Sequence, residues 1–233
     1  MNVSGIEIEV VKKDIKNMHL NVMPPSGRVR ISAPHGTSDD AINLFAVKKI
    51  SWIKKQVGKF NSQERQTERE YITGESHYLW GRRYKLEVKY SNKRNNIEVK
   101  GNKIILTVRE KSTQQQRENY VNEWYRAELK SKLPSIVEKW ESIIGVKANE
   151  VNIKNMRTRW GTCNTETKRV WINLQLAKKP VECLEYIVIH ELVHLREKNH
   201  TKAFVEQMDK YMPDWRVVKD ELNSFILDRY LEE

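Results

Sequence analysis

Cysteine is almost missing from this 233-residue chain, which holds only Cys163 and Cys183. Two thiols are too few for the staple network of a small secreted scaffold, so a reduced, cytoplasmic protein is the expectation. Long apolar runs are missing too. The longest, around Tyr186 to Ile189, falls far short of the roughly 18–20 residues that a membrane span needs. The opening MNVSGIEIEV carries two glutamates and no apolar block, so no secretory signal is expected there. Low-complexity linkers and internal sequence repeats are also absent. What is present is a polar but foldable composition, 39% hydrophobic and 31% charged. Its length suits one compact domain or two small ones.

Acidic charge is in deficit, and the deficit is local. Residues 1–112 hold 22 Lys and Arg against 12 Asp and Glu, while the remainder is nearly balanced at 20 against 19. Such an excess, within a net charge of +11, makes nucleic acid or another polyanion one expected partner of residues 1–112. The plainer reading is a lysine-rich surface that resists aggregation, since no nucleic-acid motif accompanies the charge.

Hydrophobic periodicity divides the chain. Ile6 to Val11, Met18 to Met23 and Gly27 to Ile31 alternate with period two and read as an antiparallel meander, with Pro24, Pro25 and Ser26 as a turn cluster. Thr37 or Ser38 starts a helix expected to run to about Asn61. Strand character returns over Tyr71 to Val108, with Gly74 and Gly81 punctuating one hairpin and Gly101-Asn102 marking another. A long helix follows from Thr113 to about Ile144, with Pro134 expected to kink or split it and Gly145 to cap it. Two short strands, near Val151 to Ile153 and Val170 to Leu174, precede helices over about 181–198, 201–211 and 215–230. The fold class is α+β. An antiparallel β-rich region with one helix occupies 1–112, and a mainly helical region occupies 113–233.

The chemistry concentrates in IVIHELVHLREKNH. His190, Glu191 and His194 form H-E-x-x-H, a pattern expected by chance in about one such chain per hundred. On a helix, residues four apart share a face, so both imidazoles can reach one ion, and Glu191 projects beside it. That is the arrangement of a metalloprotease: zinc lowers the pKa of water and a carboxylate takes its proton. A catalytic zinc takes three protein ligands and keeps one position open. His200 is the candidate third, provided the helix stops after His194 and the chain turns back; Lys198-Asn199 is a reasonable stopping place, because asparagine tolerates the left-handed conformation. The spacing matches the metzincin motif, with Glu197 where that motif has glycine. A downstream carboxylate, Glu206 or Glu221, is the competing third ligand. Leu184, Ile187, Val188, Leu192 and Leu195 line one side of this helix, which points to burial. His19, His35 and His77 stand isolated and read as surface or turn residues.

The stretch RTRWGTCN through VWINLQLAKKPVECLEYIVIHELVHLREKNHTKAF resembles the YgjP-like metallopeptidases, distant relatives of the SprT and Spartan proteases. Arg159, Trp160, Gly161, Thr162 and Cys163 match that family's R-W-G-[ST]-C block, and His190, Glu191, Leu192, His194 and His200 match its second block. The resemblance covers nearly the whole chain. It implies a zincin-like catalytic half over 113–233, zinc on the three histidines, Glu191 as base and a peptide or protein substrate. It also makes an association with DNA-bound proteins an expectation. Gly161 then permits close approach at the cleft, Trp160 walls it, and Arg159 stabilises an oxyanion or binds an acidic group. The alternative is structural, with Trp160 filling the core and Gly161 making a bulge. Cys163 and Cys183 read as packing residues. Tyr211 is a weaker oxyanion candidate, with core packing as its alternative.

Overall fold

The computed structural model describes residues 1–23, 27–62, 69–156 and 158–224. They form two compact units, one within 1–67 and one within 68–225. The expected turn cluster at Pro24, Pro25 and Ser26 and the final stretch to Tyr230 lie outside the described residues. No described helix is long and apolar enough to cross a membrane.

In the first unit, strands β1 (Asn2–Val3), β2 (Ile6–Lys13), β3 (His19–Met23) and β4 (Arg28–Pro34) form one sheet in the order β1-β2-β4-β3. The expected meander is therefore corrected. β3 pairs with β4 antiparallel, but β2 pairs with β4 in parallel, Ile8 opposite Val29 and Val10 opposite Ile31. Alternation specifies which residues share a face and says nothing of which strand lies next door. The most buried strand, β4, takes a central place, and β3, with His19 and Asn21 exposed, takes the edge. Val29, Ile31 and Ala33 face Ile42, Ala46 and Ile53 in a small apolar core. Ser38 caps helix α1 (Asp39–Lys48) by accepting the Ala41 N–H. The helix expected to continue to Asn61 breaks at Lys49, and α2 (Ile50–Ser62) begins after it.

The second unit opens with the same plan. Strands β5 (Ser76–Leu79), β6 (Arg82–Tyr90), β7 (Asn96–Lys100) and β8 (Lys103–Val108) are ordered β5-β6-β8-β7, with β6 and β8 parallel and both outer pairs antiparallel. The first hairpin of each sheet turns on two residues of positive φ, Ser4-Gly5 in one and Trp80-Gly81 in the other. A capped helix follows each sheet, so the chain carries a structural repeat that its sequence hides. Here the helix is α3 (Gln114–Ile144), with a complete capping box between Thr113 and Gln116 and a left-handed Gly145 at its end. It runs through Pro134 as one element. Tyr125, Leu129, Leu133, Trp140 and Ile144 bury one face at helical spacing.

Beyond α3 lies a three-stranded sheet in the order β10-β11-β9: β9 (Glu150–Lys154), β10 (Gly161–Asn164) and β11 (Arg169–Asn173). A 3₁₀ helix, Leu174–Lys178, leads into α4 (Val181–Val193), followed by α5 (Lys202–Tyr211) and α6 (Trp215–Ser224). The two N-terminal sheets and the helical C-terminal half make an α+β fold. His77, expected at the surface, is 1% exposed, with Nε2 3.2 Å from a Glu75 carboxylate oxygen. It shares a β5 face with Leu79, so the period-two pattern carries it inward.

Candidate metal centre

α4 is buried on nearly every side. Cys183, Leu184, Ile187, Val188, Ile189, Leu192 and Val193 are all core residues, as the run of apolar side chains anticipates. Each of the aliphatic side chains contributes roughly 1.5–3 kcal/mol on burial, so the helix is held firmly in place. Its start is held too. The Trp80 N–H donates to the Ala177 carbonyl at 2.9 Å, and the Gly81 N–H donates to Lys178 at 3.3 Å. Gly81 is obligatory there, with φ of +78°, and a Cβ on it would lie 2.9 Å from Pro180 Cγ. The β5–β6 turn is thus docked by its backbone against the residues that launch α4.

α4 ends at Val193, about five residues earlier than the helix-forming Leu-Arg-Glu-Lys suggests, and His194 is its C-cap. The Val193 carbonyl accepts N–H groups from both Arg196 and Glu197, tightening the final turn. No residue between His194 and Thr201 has positive φ. The left-handed asparagine expected at Asn199 is therefore not used. The tightened helix end reverses the chain instead, with Glu197 in the place of the metzincin glycine. Thr201 then caps α5 by accepting the Phe204 N–H.

This turn brings His200 back onto α4. The ring centroids of His190, His194 and His200 are 4.8–4.9 Å apart in every pair. One donor nitrogen from each lies within 4.8 Å of the others, and these three are the one such metal-capable cluster among the described residues. Glu206 is instead 3.7 Å from Lys202, and neither it nor Glu221 joins the cluster. His190 Nε2 is 3.0 Å from His200 Nε2. Two nitrogens sharing a tetrahedral ion at about 2.0–2.1 Å would be roughly 3.3 Å apart, so the pair is spaced for a common ion. Burial, helped by the other two histidines and Lys219, holds the His190 pKa down at about 3. Burial lowers His194 as well, against the opposing hydrogen bonds from its Nδ1 side. Neutral imidazoles are the form that binds metal, so the donor set fits a divalent ion.

Glu191 is 5% exposed. Burial pushes its carboxyl up to about 8, against the downward pull of the Arg159 guanidinium. Its side chain lies against Gly161, at the start of β10. A Cβ on Gly161 would fall 2.6 Å from Glu191 Oε1 and 2.7 Å from Ile187 Cγ2. The close approach at this glycine is therefore made by α4 itself. Trp160 is half-buried against the core, with the Lys179 ammonium 5.8 Å from its ring centre, and Arg159 is exposed.

Asn173, which sequence reasoning missed, organises that segment. It is 2% exposed, and its amide nitrogen donates to the carbonyls of Met156 (2.9 Å) and Arg159 (2.7 Å). Its amide oxygen accepts from the N–H groups of Met156 and Gln175. Every polar valence of the side chain is used, which ties Met156 and Arg159 to the end of β11. Cys163 and Cys183 are free thiols. Burial pushes the first to about 11 and the second to about 12, in keeping with packing rather than nucleophilic roles. The Tyr211 hydroxyl accepts from Arg196 at 3.4 Å, and its ring packs on the core.

A family model for the YgjP-like metallopeptidase domain matches residues 16–225. The chain belongs to the YgjP-like family. Membership makes it a metallopeptidase, and the histidine cluster is a possible site for its metal. Two solved structures resemble part of it. The metallopeptidase zymogen of Pyrococcus abyssi abylysin is 18% identical with a TM-score of 0.38, covering 42% of this chain and 98% of that one. The metallopeptidase zymogen of Methanocaldococcus jannaschii jannalysin is 21% identical with a TM-score of 0.36, covering 40% and 94%. The assignment rests on the family model and not on these. Comparison with curated proteins returned no match.

Proposed function

We propose that the protein is a zinc-dependent peptidase in which His190, His194 and His200 hold the ion and Glu191 is the general base. What supports this is the convergence of three imidazole nitrogens next to a buried carboxyl on the same helix. Three neutral imidazoles are a donor set suited to zinc, and they leave a fourth position open. Zinc held there supplies Lewis acidity, making water acidic enough to ionise near neutral pH and polarising a carbonyl. Glu191 takes the proton of the attacking water and passes it to the leaving amine. Its side chain packs against Gly161, which keeps the carboxyl beside the start of β10. Burial raises the Glu191 pKa in the metal-free chain, and a divalent cation bound beside it would favour the ionised carboxylate that accepts the proton.

The substrate on this reading is an extended peptide. β10 is an edge strand of its sheet and begins at Gly161, beside Glu191. A peptide added to that edge meets Trp160 and the exposed Arg159, which binds an acidic group or steadies the developing oxyanion. The test is Glu191→Gln. It keeps the shape of the side chain but cannot accept a proton, so one zinc per chain is retained while peptide hydrolysis falls by about 10²–10⁴. A Glu191→Gln protein that cleaves peptides at the wild-type rate contradicts the proposal.

A further inference from the structure

The three histidines are oriented unequally. His194 Nδ1 lies 3.2 Å from the Glu197 carbonyl, a hydrogen bond of the kind that normally fixes a metal-binding imidazole. His190 has no such partner among the described residues: its Nδ1 is buried and makes no hydrogen bond there. His200 sits in the turn after α4 and is exposed. At His190 Nδ1, something other than a hydrogen bond must steady the ring.

One side chain touches all three. Phe204, on the first turn of α5, is 2% exposed. Its ring centroid lies 5.0 Å from that of His190, 4.8 Å from His194 and 4.7 Å from His200. Those separations nearly equal the distances among the histidines themselves, so the four rings occupy the corners of a near-regular tetrahedron. Phe204 covers one face of the histidine triangle. It meets His190 and His200 with interplanar angles of 70° and 79°, the edge-to-face arrangement that aromatic pairs favour, and lies tilted at 34° to His194. The placement of Phe204 follows from the local sequence. Thr201 caps α5 one residue after His200, and its hydroxyl accepts the Phe204 N–H, so the cap that begins the helix also sets the ring beneath the cluster.

We infer that Phe204 is a positioning residue for the metal centre, a ring platform that holds the imidazoles of His190, His194 and His200 in their ligating orientation. The inference rests on the three-histidine reading of the site. Phe204 contributes no donor atom. It acts through the rings it contacts, and most through His190, whose Nδ1 has no hydrogen-bond partner among the described residues and whose other ring contacts are the two histidines and the edge of Tyr186 at 5.8 Å. Removing the platform frees the rings to rotate, and the ordering of three loose imidazoles then has to be supplied when the ion binds.

The test compares wild-type protein with Phe204→Leu and Phe204→Met, which keep the position apolar, and with Phe204→Ala. Three quantities are read: the melting temperature of the metal-free protein, the zinc dissociation constant by chelator competition, and the visible spectrum of the cobalt-substituted protein. The expectation is a zinc dissociation constant raised about 10–100-fold in the Leu and Met variants, the range seen when groups that orient metal ligands are lost. The cobalt bands shift or broaden, and neither change scales with metal-free melting temperature. Wild-type affinity and an unchanged cobalt spectrum in a folded Leu or Met variant overturn the inference. So does an affinity loss that tracks metal-free stability across the three variants, which makes Phe204 an ordinary core residue. Wild-type protein that takes up neither metal overturns the three-histidine reading itself, a result distinct from the other two.

Discussion

Gly161→Ala tests the contact between β10 and the proposed base. The added methyl would sit 2.6 Å from Glu191 Oε1, 2.7 Å from Ile187 Cγ2 and 2.8 Å from Glu191 Cγ, where ordinary contact begins at 3.4 Å. Ile187 is a core residue of α4 and has little room to yield. The end of the Glu191 side chain is the softer of the two, so the carboxyl is displaced by somewhat under an ångström. Misplacing a reacting group by about 1 Å can cost 10²-fold. The expected fall in kcat/KM is therefore about 10–100-fold, or roughly 1.4–2.8 kcal/mol of transition-state stabilisation. Overpacking also lowers stability by about 1–3 kcal/mol. Gly161 does not have a positive φ, so alanine adds no backbone strain to blur the result. None of the three atoms nearest the methyl belongs to a histidine, so zinc content is expected to stay at the wild-type level. The assay is hydrolysis of a quenched fluorescent peptide, alongside elemental analysis and thermal melting. Wild-type kcat/KM in a folded Gly161→Ala protein refutes the reasoning. Loss of zinc refutes it differently, by showing that β10 supports the ligands rather than the base.

Other predictions follow from single contacts. Asn173→Ala removes four hydrogen bonds and leaves backbone groups of Met156, Arg159 and Gln175 without them; chemical denaturation should show a loss of about 2–4 kcal/mol, and an unchanged midpoint contradicts the clamp. Gly81→Ala meets both a φ of +78° and Pro180 Cγ at 2.9 Å, so its melting temperature should fall well below that of the same change at Gly58, where the added methyl meets open space. The Glu185 carboxyl is raised by burial, but hydrogen bonds from Lys139 and Trp140 outweigh that and leave its pKa below the usual 4.5. A depressed pKa stabilises the fold above the unfolded value and loses that contribution as pH falls through the folded one. Glu185→Gln should therefore cost stability at pH 7 and progressively less below about pH 4.5; a deficit that does not shrink in acid rules this out.

What the sequence makes legible here depends on the range of the contact. His190, Glu191 and His194 lie within one turn and a half of helix, so their shared surroundings follow from helical geometry alone. His200 needs one reversal, and the need for it could be argued from the ten-residue spacing. Where the reversal occurs could not, since Leu195, Arg196, Glu197 and Lys198 all favour helix and only the tightened turn at Val193 overrides them. The hairpin at Gly101-Asn102 is equally local, and Gly101 indeed takes a positive φ. The pairing of β2 with β4 and β6 with β8 depends on contacts more than a dozen residues apart, and an alternating strand is compatible with either neighbour. Phe204 and Asn173 were invisible for the same reason. A phenylalanine in an amphipathic helix and an asparagine at a strand end look ordinary until the rings or carbonyls they meet are known.

The central claim is that His190, His194 and His200 form one zinc site. It is tested most directly by X-ray absorption at the zinc edge on the purified protein, beside His190→Ala. The account predicts one zinc per chain with three imidazole nitrogens at about 2.0–2.1 Å and one further oxygen neighbour, and an empty His190→Ala protein. A wild-type chain that binds no stoichiometric zinc, or binds it undiminished after His190→Ala, contradicts the account.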